Sequence, residues 1–187
     1  GPLRRSCAGV GVPTCVYGRM TVLDLFSGIG GFSLAFERAG FRTVAFSEIE
    51  PFPCRVLAHH WPDVPNLGDV SQIGGTNVVR QFGDIDVITA GFPCQDISLS
   101  NTKERQLLDG RRSGLWTHVA RLIGEVRPRF ALIENVSALL GGGAERVLGD
   151  LAALGYDAEW HCIPACSVGA PHIRDRIWIL AYPGQEP

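Results

Sequence analysis

TVLDLFSGIGGFSLAFERAG, residues 21–40, changes its hydrophobic period halfway along. Residues 21–26 are apolar and β-rich, whereas Phe32, Leu34, Ala35 and Ala39 recur at helical spacing, so the stretch is a strand, a glycine turn and a helix in that order. Gly40 closes the helix, because a C-terminal position with left-handed backbone favours glycine. Within the turn SGIGG, Gly28 and Gly30 occupy the first two glycine positions of GxGxxG, but Ser33 stands in the third. The dinucleotide fingerprint is therefore incomplete, and the turn alone does not name a ligand.

Outward from this unit the same alternation continues. A second strand is expected over 42–48, ending in Glu48, and a helix over 51–61 whose prolines suit an N-terminus. A short third strand is expected at NLGDVSQI, 66–73, and a buried fourth at DIDVITAG, 84–91. After a long charged loop, a helix over 113–128 is stopped by Pro128, and RFALIENV, 129–136, forms a fifth strand. The glycines at 141–143 precede a helix over 144–155, and 156–163 and 176–183 supply two last strands. Strands alternating with helices make an α/β fold in which a largely parallel sheet carries helices on both faces and binds ligands at the carboxyl ends of its strands. Asp24 with Ser27-Gly28, Glu48 with Glu50, Asp69, Gly91-Phe92-Pro93-Cys94 and Glu134-Asn135 each follow an apolar strand. Five polar clusters on one rim describe a site.

Length and composition narrow the class. A chain of 187 residues is long enough for one domain with a real core. With 45% hydrophobic and 19% charged residues, it reads as globular rather than disordered. No run of apolar residues is long enough for a membrane span, and no signal-peptide pattern is present, so a cytoplasmic location in a bacterial or phage setting is expected. Gly1-Pro2 reads as a protease-cleavage scar and Met20 as the natural start, which leaves 1–19 as a tail. The formal net charge of −2 gives no bulk attraction for nucleic acid, so any such partner must use local clusters such as Lys103, Arg105, Arg111 and Arg112, or Arg174 and Arg176. The six cysteines lack a repeated short spacing, which opposes a disulfide scaffold. His161, Cys162, Cys166 and His172 lack paired CxxC knuckles, and no metal is expected.

Two residues point to chemistry. Glu48, closing the second strand, is placed as the acid that accepts hydrogen bonds from both ribose hydroxyls in this architecture. The first turn has no lysine or arginine to hold a pyrophosphate, which favours an adenosine ligand without phosphates, of which S-adenosylmethionine is the common one. Cys94 stands between Pro93 and Gln95-Asp96 at the mouth of a buried strand, where a nucleophile would be presented, and Glu134 closes the next strand.

The order DLFSGIGG, GFPCQDIS, ENV and HIRDRIW over residues 20–183 resembles the DNA cytosine-5 methyltransferases. The resemblance implies a Rossmann-like S-adenosylmethionine-dependent methyltransferase sheet with its last strand inserted antiparallel. It implies that Phe26, Gly28, Ile29 and Gly31 wrap the cofactor, Glu48 holds the ribose, Ile49 packs on the adenine and Asp69-Val70 meets its edge. Gly91, Pro93 and Leu115 complete that pocket. A cytosine flipped from double-stranded DNA would lie over Cys94, with the Phe92 backbone and Glu134 on its amino and N3 edge and Arg176 on its O2. Arg174 joins this catalytic group, and Gln95, Ser98, Arg112 and Asn135 are expected at the substrate, with the 99–112 loop as a lid over DNA.

The likeness also has gaps. Members of this family continue into a target-recognition domain and a C-terminal segment that completes the cofactor pocket, and His172 stands where the family has glutamine. Three readings stay open: a catalytic part working with a second chain or by self-association, an inactive fragment, and a non-catalytic module that binds DNA or a partner. A tRNA substrate is a further alternative, whereas a dehydrogenase is opposed by the glycine spacing and the setting of Cys94.

Overall fold

The computed structural model describes residues 19–93 and 114–184. Residues 1–18 of the expected 1–19 tail and the site positions Cys94, Gln95, Ser98 and Arg112 lie outside the described residues, as do Lys103, Arg105 and Arg111.

Six strands form one sheet in the order β2-β1-β3-β4-β6-β5. They are β1 (Thr21–Leu25), β2 (Arg42–Ser47), β3 (Val87–Ala90), β4 (Phe130–Val136), β5 (Tyr156–Pro164) and β6 (Asp175–Pro183). The helices are α1 (Gly31–Arg38), α2 (Pro51–His60), α3 (Gly75–Phe82), α4 (Gly114–Val126) and α5 (Ala144–Ala153). β2, β1, β3 and β4 run parallel, and every residue of β1 and β3 is buried, as a strand covered on both faces requires. β6 is threaded between β4 and β5, antiparallel to both, as the resemblance implied.

β4 and β6 alternate strictly. Ala131, Ile133 and Asn135 are buried with Ile177, Ile179 and Ala181, while Glu134, Arg176 and Trp178 are half-buried on the other face. Helix α1 reaches that second face, where Phe32 meets Trp178 edge-on at 5.7 Å. α3 and α5 pack against α4, whose Trp116, Val119, Leu122 and Ile123 are buried in the core. Trp116 donates through Nε1 to Asp150 of α5 at 2.7 Å, which gives the buried indole the partner it needs.

One expectation fails, and one helix lies where none was assigned. The third strand expected at 66–73 is reduced to one bridge, Phe46 to Asn66, followed by a 3-10 turn over Val70–Gln72. Gly68, at φ 74°, turns the chain out of the extended path, and Asp69 caps the new turn by accepting from the Ser71 N–H at 2.8 Å. Helix α3 lies in a stretch to which no element was assigned from the sequence, with Gly74-Gly75 at its start, Gly83 after it and β-branched residues inside. Tertiary contact secures it: the Gly75 N–H donates to Glu125 Oε2 at 2.6 Å, and a Cβ at Gly75 would sit 2.5 Å from Glu125 Cβ.

Candidate active site

The strand order reverses between β1 and β3, so the crossovers from these strands leave on opposite sides and open a crevice at their carboxyl ends. A cleft of about 260 Å³ lies there. Phe26 borders it after β1, Ser47, Glu48, Ile49 and Glu50 after β2, and Gly91 and Pro93 after β3. Gly68, Asp69 and Val70 form the far wall, and Leu115 of α4 closes a side. Eight of the positions proposed from sequence thus meet around one cavity: Phe26, Glu48, Ile49, Asp69, Val70, Gly91, Pro93 and Leu115.

The first turn is built on left-handed backbone at Phe26 (φ 54°), Gly28 (φ 54°) and Gly30 (φ 87°). Gly30 is required twice over, because a Cβ there would also sit 2.5 Å from the Trp61 ring. Trp61 is held in that place by Glu37, whose carboxylate accepts from its Nε1 at 2.9 Å. Gly28, Ile29 and Gly31 do not border the cleft. Gly28 instead donates its N–H to Glu48 Oε2 at 2.7 Å, Ile29 is 60% exposed, and Gly31 begins α1.

Under the turn lies Asp24, fully buried. Its carboxylate accepts from Ser33 Oγ and from Thr89 Oγ1, both at 2.7 Å. Burial pushes this carboxyl up to about 6, against the lowering effect of the two hydroxyl donors. Ser33 is therefore no failed glycine: its hydroxyl ties α1 to β1, while Thr89, directly opposite Asp24, ties β3 to the same carboxylate.

Glu48 is tightly organised. Besides Gly28, its Oε1 accepts from the Ile49 and Glu50 N–H groups at 2.8 Å each. Asp69 is held below the usual carboxylate range by the Ser71 N–H. Among the described residues the cleft border thus carries the carboxyl groups of Glu48, Glu50 and Asp69 and no lysine, arginine or histidine. Such a lining favours a ligand with hydroxyls and positive charge over one with phosphates, and so fits an adenosyl sulfonium. Glu50 belongs with Glu48 to the acidic rim expected from the sequence, whereas Ser47 and Gly68 were not singled out. For Ser47 the available signal was its place beside Glu48 on a strand end.

Beside the cleft, Arg176 Nε contacts Glu134 Oε1 at 2.8 Å. In the β4–β6 register Glu134 pairs with Trp178 and Arg176 with Val136, so acid and base are diagonal neighbours on one face. Glu134 also lies against Gly91, where a Cβ would be 3.4 Å from its Oε2. The acid therefore stands over the segment that leads from β3 through Phe92 and Pro93 to Cys94. Asn135, expected at the substrate, is buried instead. Its Nδ2 donates to the Phe92 carbonyl at 3.1 Å, and its Oδ1 accepts from Val136 N–H at 2.8 Å. It braces the backbone before Cys94 rather than facing outward. The Phe92 ring is likewise core, packed on Phe26 and Trp116, which leaves only its backbone for a ligand. Arg174 is exposed and has left-handed backbone (φ 34°) in the connection before β6, where the Ala165 N–H donates to the Ile173 carbonyl at 2.6 Å. Among the described residues no cluster of three His, Cys, Asp or Glu side chains could hold a metal ion.

A switch-point cleft with an acidic border, in a sheet whose last strand is reversed, is the architecture of the S-adenosylmethionine-dependent methyltransferases. Residues 20–187 match the family model of the C-5 cytosine-specific DNA methylases. Over 165 residues the chain is 33% identical to a type II methyltransferase of Haemophilus parahaemolyticus, covering 84% of this chain and 44% of the relative. Over 176 residues it is 35% identical to one from Bacillus subtilis, covering 90% and 43%. Among solved structures, a prophage-encoded Escherichia coli protein regarded as a DNA modification methyltransferase superposes with a TM-score of 0.70 at 30% identity, covering 88% of this chain and 47% of that one. The fold is also that of Schizosaccharomyces pombe Dnmt2, with a TM-score of 0.72 at 23% identity and coverage of 90% and 52%. This chain belongs to the C-5 cytosine-specific DNA methylases. It spans less than half the length of these curated relatives.

Proposed function

We propose that this chain is the catalytic part of an enzyme that transfers a methyl group from S-adenosylmethionine to carbon 5 of cytosine in double-stranded DNA. One observation carries the reading: the Glu134–Arg176 pair lies against Gly91, so an acid and a guanidinium flank the segment leading to Cys94 beside an acidic cleft.

Glu48 would take the ribose hydroxyls, Ile49 and Val70 the faces of the adenine, and Asp69 its edge, with Phe26, Gly91, Pro93 and Leu115 closing the cavity. When bound, the cofactor supplies an electrophilic methyl group. The remaining work belongs to the chain. Carbon 5 of cytosine is a poor nucleophile, so the Cys94 thiolate adds to carbon 6 and the ring electrons move toward carbon 5. Glu134 gives or shares a proton at N3 and Arg176 faces O2, offsetting the charge that addition creates. After carbon 5 is methylated, a base removes its proton, the double bond re-forms and Cys94 leaves as thiolate. The Phe92 carbonyl, braced by Asn135, would meet the amino group of the flipped base. Gln95, Ser98, Arg112 and Arg174 would contact the DNA around it.

The reading carries a cytoplasmic location. It also carries a partner, either a second chain with the rest of the relatives' length or another copy. Trp160 and Ile163, 45% and 41% exposed on the edge strand β5, support such packing.

Trapping tests it. The chain is incubated with S-adenosylmethionine and a duplex containing 5-fluorocytosine, whose fluorine cannot leave as the proton does. A denaturation-resistant adduct, lost in Cys94→Ala, is expected. Full methyl transfer by Cys94→Ser overturns the mechanism, and no adduct even with the unmatched part of a relative added in trans points to an inactive fragment.

A further inference from the structure

We propose that Asn66 is a positioning residue: its side-chain amide stands in for a missing strand and sets Glu48 to grip the two ribose hydroxyls of an adenosyl ligand. The inference rests on the adenosyl reading of the cleft and concerns how that grip is made.

The expected third strand gives out after a single bridge. The backbone of 65–67 pairs with β2 only at Phe46, whose N–H donates to the Pro65 carbonyl at 2.9 Å and whose carbonyl accepts from the Leu67 N–H at 2.8 Å. A parallel ladder continued by one step would pair Glu48 N–H with the Leu67 carbonyl and the Glu48 carbonyl with the Asp69 N–H. Neither bond forms. Asn66 takes both roles with one side chain: Oδ1 accepts from Glu48 N–H at 3.0 Å, and Nδ2 donates to the Glu48 carbonyl at 2.9 Å. The planar amide copies a peptide group.

Two consequences follow from that substitution. First, the backbone of Glu48 is fixed although β2 ends at Ser47, so its carboxylate can meet the N–H groups of Gly28, Ile49 and Glu50. Second, the chain after Asn66 is released from the sheet. Asn66 Oδ1 also accepts from the Gly68 N–H at 3.1 Å, which starts the turn that brings Gly68, Asp69 and Val70 to the cleft. Cys54 on α2 reinforces the clamp, with its thiol donating to the Glu48 carbonyl at 3.3 Å and accepting from Asn66 Nδ2 at 3.2 Å. Only an amide serves here, because the position needs an acceptor for two N–H groups and a donor for a carbonyl and a sulfur together. Aspartate would offer no donor and would set a second charge beside Glu48.

The test is a cycle between protein and ligand. Calorimetric Kd values are measured for S-adenosylhomocysteine and for its analogue lacking the ribose 2′ and 3′ hydroxyls, on the unaltered chain, Asn66→Ala and Asn66→Asp. The unaltered chain is expected to favour the hydroxylated ligand by tenfold or more. Both variants are expected to lose most of that preference while binding the analogue within twofold of the unaltered chain. Equal weakening of both ligands would reduce Asn66 to a structural role, and an unchanged preference would remove it from the site. Should Asn66→Ala fail to fold, the isosteric Asn66→Asp carries the same comparison. If the unaltered chain binds neither ligand, or binds both alike, the adenosyl reading of the cleft fails first and Asn66 falls with it.

Discussion

Replacing Asp24 with asparagine should stabilise this protein near neutral pH and leave it little changed in acid. The carboxyl is fully buried, and among the described residues its hydrogen-bond partners are the neutral hydroxyls of Ser33 and Thr89 and the Ser33 backbone N–H. Burial raises it from 3.8 to about 6. The folded state therefore binds the proton more tightly than the unfolded chain, and the associated stability is complete below pH 3.8 and lost as pH rises through about 6. A shift of this size corresponds to about 3 kcal/mol, at roughly 1.4 kcal/mol per pH unit. Asparagine keeps the shape and satisfies both hydroxyls, one as donor and one as acceptor, without an ionisation to suppress. The stability of Asp24→Asn relative to the unaltered protein should thus rise by about 2.5 kcal/mol between pH 4 and pH 7.5, equivalent to roughly 5–10 °C in melting temperature for a chain of this size. Paired thermal melts at the two values measure it, and groups such as Asp69, whose shift is opposite in sign, cancel in the difference. A gap between variant and parent that stays constant with pH would refute the reasoning.

Two further substitutions separate fold from chemistry. Gly30→Ala forces a left-handed alanine and drives its methyl into Trp61, so a loss of about 2–5 kcal/mol is expected in urea denaturation, and a change below about 0.5 kcal/mol would sink the account of the turn. Glu134→Gln keeps the volume but removes the proton donor and the charge facing Arg176, so single-turnover methylation should fall about 10²–10⁴-fold. Its melting temperature should move by no more than roughly 4 °C, because a half-exposed pair contributes about 1 kcal/mol.

The parts legible in the sequence were those whose cause is local. TVLDL and VITA are apolar runs, and the parallel pairing they imply follows from burial on both faces. The rim of acids was legible because a carboxylate after an apolar strand needs a partner or a ligand. What escaped depends on distant residues. Ser33 looked like a defect in a glycine pattern until Asp24 and Thr89 were placed around it. The stretch NLGDVSQI has a strand's composition, yet one amide at Asn66 ends the ladder and Gly68 turns the chain away. Helix α3 has weak intrinsic propensity and is secured by Glu125, fifty residues further on. Asn135 is expected at the substrate together with Glu134, but alternation along β4 sends these neighbours to opposite faces.

The threading of β6 between β4 and β5 has a consequence for how the chain is made. Strands β1 to β4 can pair as they leave the ribosome, since each already finds its neighbour among residues before Val136. β5 cannot: its nine residues pair only with β6, which emerges later. Until residues 175–183 are free, both β5 and the outer edge of β4 stand open, and an open edge is a template for wrong pairing. β6, the last of the six described strands in chain order, is thus the one that joins β5 to the sheet, and it carries Arg176 to Glu134 in the same movement. Assembly of the proposed catalytic pair and the joining of these six strands are one event.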